Sequence, residues 1–197
     1  LDAMPHSIPY LNTALALLIA GGGILALYVW REKPDTRPFF RFKRITWQEG
    51  VLWFFFGVCA NCAGTILNIP VNLFWSQWIV PTSGVAAPQS LGEYLLGVLC
   101  IAGIPAVCEE LFCRGILLRE YEAYGKKAAV WASALAFAFL HDNVTSLVFT
   151  ILLGVVLALL VERTESIYPA IIFHFAVNFF SLTMSYVSET LIPPHMQ

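Results

Sequence analysis

Long apolar runs separated by short polar breaks make up most of this chain. No Lys, Arg, Asp or Glu occurs between Asp2 and Arg31, from Gly50 to Gly92, from Asn143 to Val161, or from Ser166 to Ser188. A helix crosses the hydrocarbon core of a bilayer with about 20 mostly apolar residues. The runs therefore predict helices at 10–30, 47–68, 91–113, 127–141, 144–162 and 166–187. The 127–141 helix is short for a full crossing. The 69–90 segment is apolar but interrupted by Pro70, Pro81 and Pro88, and reads as an outer interfacial segment. Gly21, Gly22 and Gly23 fall inside the first run, where small residues suggest close helix packing.

Charge orients this set of helices. Arg31, Lys33, Arg37, Arg41, Lys43 and Arg44 follow the first run. Arg114, Arg119, Lys126 and Lys127 follow the third, and Arg163 follows the fifth. The alternate loops and both tails have no basic residue. The positive-inside rule then makes the basic loops cytoplasmic and places both termini outside, which requires an even number of crossings. Trp30 and Trp47 bracket the first basic loop, and Trp75 and Trp78 sit on the other side, as an interfacial aromatic belt would. The N-terminal run has no basic stretch before it, so it reads as a span and not a signal peptide.

Composition narrows the class. The 197 residues are 58% hydrophobic and 12% charged, against about 25% charged in a typical soluble domain. A soluble globular fold and a disordered chain are both excluded. The net charge of -2 argues against a nucleic-acid binder. The expected fold is an all-α polytopic membrane helix bundle of about six transmembrane helices. It forms one domain over 1–197, with two N-terminal spans in 10–68 and a second group in 90–187. The five cysteines, Cys59, Cys62, Cys100, Cys108 and Cys113, lie in or beside apolar runs. An odd count in lipid argues against a disulfide framework. The Cys59/Cys62 CxxC reads as small packing residues.

Ionisable groups within a bilayer are expensive, of order 2.5–3.5 kcal/mol each, so each one here is a candidate for function. They are Glu109, Glu110, His141, Asp142 and His174, with Arg114 near the boundary; His6 and His195 lie in the tails. Neighbouring helical residues point to different faces. Glu110 and Arg114, at i and i+4, suit an ion pair, which leaves Glu109 to point elsewhere. His174 and Asn178 are also i and i+4, facing one point in the bundle. Glu109 lies 16 residues before Gly125 and His141 lies 16 after it. A helical hairpin turning at Gly125 would bring both level, about 24 Å from the turn. His174 comes to a similar depth. The short 127–141 helix then ends at a polar turn inside the membrane, buried in protein. Asp142 and Asn143 are alternatively caps for the following helix.

Three motifs follow in order on separate helices. They are EExxxR (Glu109, Glu110, Arg114), FxxxH (Phe137, His141) and HxxxN (His174, Asn178). Together they resemble the CAAX protease and bacteriocin-processing family, which includes the type II CAAX prenyl endopeptidases. The resemblance spans roughly 90–180. It implies an intramembrane endopeptidase in which Glu109 and His141 activate a water, His174 and Asn178 stabilise the oxyanion, and Glu110 and Arg114 support the site. The residues suit those roles, since a carboxylate withdrawn from bulk water is a stronger base and Asn and His side chains serve as oxyanion donors. Cys113, four residues beyond Glu109, is a weaker candidate as a nucleophile.

No resident cofactor is expected. The alternative is a zinc site made by Glu109, His141 and His174, two histidines and a carboxylate, although no HExxH helix is present. Another reading is a non-catalytic membrane scaffold or bacteriocin-immunity protein, disfavoured because every motif position is filled. A transporter is weaker still, since no paired interrupted helices are evident. The expected partners are the lipid bilayer and a peptide or protein substrate entering from the membrane or the cytoplasmic side. The expected location is a prokaryotic plasma membrane.

Overall fold

With no water to satisfy backbone N–H and C=O groups in hydrocarbon, an apolar run has to close its hydrogen bonds within itself, as a helix. The computed structural model describes residues 7–75, 78, 86–141 and 144–191. Among these, six long helices follow one another with no strand. They are α1 (Ser7–Glu32), α2 (Trp47–Trp75), α3 (Leu91–Tyr124), α4 (Lys126–Phe139), α5 (Leu147–Thr164) and α6 (Tyr168–Leu191). The chain is an all-α bundle and an integral membrane protein. Five helices are long and apolar enough to cross a membrane; α4 is not. Its 14 residues span about 21 Å, less than the roughly 30 Å hydrocarbon core.

The helices alternate in direction, and polar contacts fix their ends. Arg41, in the first loop, pairs with Glu122 at the end of α3 and with Glu162 near the end of α5. Arg119 joins Glu122 at 2.7 Å, and Lys126 lies 3.6 Å from Glu162. The Tyr28 hydroxyl donates to Glu120. The Ser166 hydroxyl, just before α6, donates to the Lys43 carbonyl at 2.6 Å. One end of the bundle thus gathers every basic residue except Arg114. At the opposite end the Tyr10 hydroxyl of α1 donates to the Ala86 carbonyl ahead of α3 at 2.6 Å. Ser7 and Leu191 share that end. Gly125 makes the α3–α4 turn with φ of +100°, a conformation glycine adopts without steric cost.

Small residues set the closest helix contacts, but not those suggested by the sequence. A Cβ on Gly57 of α2 would lie 2.5 Å from the Phe173 carbonyl oxygen and 2.7 Å from the Ala176 Cβ on α6. A Cβ on Gly154 of α5 would lie 2.9 Å from the Ala134 Cα of α4. By contrast, Gly22 and Gly23 have nothing within 4 Å, and Gly21 only reaches the Cys108 Cβ at 3.8 Å. Cys59 and Cys62 likewise face outward, and all five cysteines are free. Hydrocarbon accepts the same side chains as a protein core, so an apolar run does not reveal its packed face. A second correction concerns 69–90. Helix α2 continues through Pro70 to Trp75, because neighbouring groups in a membrane helix can satisfy what proline frees. Pro81, Asp142, Asn143, His6 and His195 lie outside the described residues.

Gly57→Ala is expected to destabilise the bundle by about 1–3 kcal/mol, because backbone contacts cannot yield to the added carbon. Gly22→Ala is expected to be neutral or stabilising by up to about 1 kcal/mol. Thermal unfolding in detergent would separate the two, and equal effects would contradict this packing.

Candidate active site

The glutamate pair sits in an irregular stretch of α3. Two π-helical turns, Val98–Gly103 and Leu111–Leu117, bracket the α-helical segment Ile104–Glu110. Such turns interrupt the regular ladder and are frequent at functional sites. Pro105 brings no N–H to the Ile101 carbonyl one turn back, and Asn178 Nδ2 of α6 donates to that carbonyl at 3.4 Å.

Glu110 points into the protein. Its Oε1 accepts from Arg114 Nη1 at 2.9 Å and lies 3.0 Å from His174 Nδ1. Both acid and guanidinium are fully buried. Arg114 Nη2 donates to the Gly154 carbonyl at 2.9 Å, and its guanidinium lies 4.4 Å from the centre of the Phe137 ring. Glu110 therefore orients His174 as well as pairing with Arg114.

Glu109 points the other way. Its Oε2 is buried without a hydrogen-bond partner and lies 3.8 Å from His141 Nε2. That is too long for a direct hydrogen bond. His141 stands just past the end of α4, with Nδ1 2.9 Å from the Phe137 carbonyl. A carbonyl only accepts, so Nδ1 carries the proton and a neutral ring presents a bare Nε2 to Glu109. His174 has given Nδ1 to Glu110, and its Nε2 is buried without a partner. One ligand-capable atom from each of Glu109, His141 and His174 lies within 4.8 Å of the others. The Phe137 ring meets both imidazoles, with centroids 4.5 Å and 5.2 Å away.

Glu109, His141 and Asn178 line a cavity of about 440 Å³. His174 lies behind them, 1% exposed. His174 and Asn178 share a helix face but take different partners, Glu110 and the Ile101 carbonyl. Cys113 is fully buried in the apolar core, its carbonyl accepting from Ser133 Oγ at 2.9 Å.

Residues 91–180 match the family model described as Rce1-like, type II CAAX prenyl endopeptidase Rce1-like. Over this stretch, just under half of its length, the chain is similar to the type II CAAX prenyl endopeptidases. No curated protein and no solved structure gives a match. All six candidate residues lie within the Rce1-like stretch.

Two contributions escaped the sequence reading. Phe137 does more than fill core, since its carbonyl fixes the His141 tautomer and its ring spaces the two imidazoles. Its place four residues before His141 was the available signal. Outside the Rce1-like stretch, Thr13 and Leu17 of α1 form part of the cavity wall. Nothing in an apolar run marks them.

Proposed function

We propose that this protein is an intramembrane endopeptidase that hydrolyses a peptide bond with a water activated by Glu109 and His141. The observation that carries the reading is the buried, unpartnered Glu109 Oε2, 3.8 Å from His141 Nε2 at a cavity wall. Glu109 takes a proton from the water as its oxygen bonds to the substrate carbonyl carbon. His141 holds the water by a hydrogen bond to Nε2. Negative charge builds on the carbonyl oxygen, and Asn178 Nδ2 donates to it. His174 adds a second donor, its Nε2–H, when its ring carries both protons, the Nδ1–H being donated to Glu110. The proton held by Glu109 then passes to the leaving amine as the C–N bond breaks. The family stretch over 91–180 supports the reaction class.

A zinc-dependent version has its own support. Three acceptor-bearing side chains converge within 4.8 Å, and two of them hold orphaned buried atoms. Glu109, His141 and His174 would hold the ion, which would supply Lewis acidity and a more acidic bound water.

His141→Ala is expected to lower cleavage by about 10²–10⁴-fold while leaving the protein folded. Membrane peptides from cells carrying the wild type or the variant, compared by mass spectrometry, should show uncleaved species only with the variant. Equal peptide sets would refute the assigned role. Metal analysis of active purified protein chooses between the versions, with stoichiometric zinc favouring the second.

A further inference from the structure

At the basic end of the bundle, Lys127 and Arg163 have no acid to answer them. Glu122 and Glu162 are the nearby carboxylates, and Arg41, Arg119 and Lys126 already hold them. Two acids facing three cations leave no negative charge over. Among the described residues neither Lys127 nor Arg163 pairs with a carboxylate. Both are exposed, yet they do not stand on open surface. They line a cavity of about 520 Å³ in the seam between α4 and α5.

The rest of that cavity is mostly apolar. Lys127 stands one turn before Trp131 and three residues before Val130, and Arg163 stands one turn after Leu159 and two turns after Val155. Each helix therefore presents its cation and its apolar residues on one face. The cations sit at the basic end, and the apolar side chains run inward from them. From Arg163 to Val155 the groove descends about 12 Å, against about 15 Å for one leaflet's half of the hydrocarbon core. Val130 is 7% exposed and forms the floor, while Trp131 and Leu159, 53% and 42% exposed, form the rims. No side chain caps the first turn of α4, whose N-cap is Gly125. Its leading N–H groups are thus open to an anion as well.

The geometry points to a bound anionic phospholipid, with its phosphate between Lys127 and Arg163 and an acyl chain along Val130, Trp131, Val155 and Leu159. Basic pockets between membrane helices hold anionic head groups. Free phosphate would satisfy the cations but has no use for an apolar groove. A peptide in the groove would find few partners for N–H and C=O groups that are costly to leave unpaired in hydrocarbon. A zwitterionic lipid brings its own cation, and so gains less from two unanswered ones. The lipid bridges α4 and α5, the two helices that Gly154 and Ala134 hold in close contact. This site is independent of the reaction at Glu109 and His141.

Trp131 reports on the groove directly. The full chain is reconstituted in phosphatidylcholine vesicles holding a minor fraction of phosphatidylglycerol brominated on its acyl chains. The quenching lost in Trp131→Phe is the Trp131 signal. Brominated phosphatidylglycerol is expected to quench that signal at a lower fraction than brominated phosphatidylcholine does. Lys127→Gln and Arg163→Gln should each raise the fraction needed for half-quenching about fivefold, the factor carried by one cation near a charged membrane surface. Arg37→Gln, which removes an equal charge from the first loop outside the groove, should not. Either groove variant suffices if the other fails to insert. Inorganic phosphate at constant ionic strength should leave the quenching unchanged. Equal quenching by the two lipids would overturn the assignment, as would equal shifts in Arg37→Gln and the groove variants. Displacement by inorganic phosphate would show the cations taking an ion from solution, and would overturn it too.

Discussion

Glu109→Gln is expected to abolish peptide cleavage, a loss of at least about 10²–10⁴-fold, while leaving thermal stability unchanged or slightly raised. The two halves of this result share one cause. Glu109 Oε2 has no hydrogen-bond partner in the fold, so the substitution breaks no hydrogen bond at that atom. It also replaces a carboxylate that is costly to hold away from water with a neutral amide of the same shape. The amide cannot accept the proton of the attacking water, so the chemical step stops. Turnover and detergent unfolding, measured on the same preparation, check both halves. Turnover within tenfold of wild type would remove Glu109 from the mechanism. Unfolding would show that its role is structural.

Arg114→Ala is expected to do the reverse and destabilise the bundle by about 3–5 kcal/mol, the usual cost of removing one partner of a buried ion pair. Glu110 would keep His174 Nδ1 but lose the Arg114 guanidinium. The Gly154 carbonyl would lose a donor, and the Phe137 ring its covering guanidinium. Arg114→Lys should rescue only part, because one ammonium cannot reproduce the planar fork that meets an acid, a carbonyl and a ring together. Combining Arg114→Met with Glu110→Gln should recover stability relative to Arg114→Ala by removing the stranded charge. Unfolding midpoints of the three variants check this. If Arg114→Ala alone unfolds like wild type, the buried layer does not hold the site together.

These outcomes separate two adjacent glutamates that look alike in the chain. Spacing distinguished their faces, because Arg114 stands one turn after Glu110 and no cation stands one turn after Glu109. Spacing about Gly125 also made Glu109 and His141 level, and they lie 3.8 Å apart. It did not show that Glu110 also holds His174, since that contact joins α3 to α6 across 64 positions. Nor did it show that His141 and His174 share the Phe137 ring.

The sequence alone determined what must be local or one-dimensional. Uninterrupted apolar runs force helices, because backbone groups in lipid have no other partner. The one-sided distribution of Lys and Arg predicts their orientation. The rarity of buried charge picks out the few residues worth examining. Tertiary structure decided which glycines pack closely against a neighbouring helix and how α1 walls the cavity. Lipid and protein core are both apolar, so hydropathy cannot tell a packed face from a bare one.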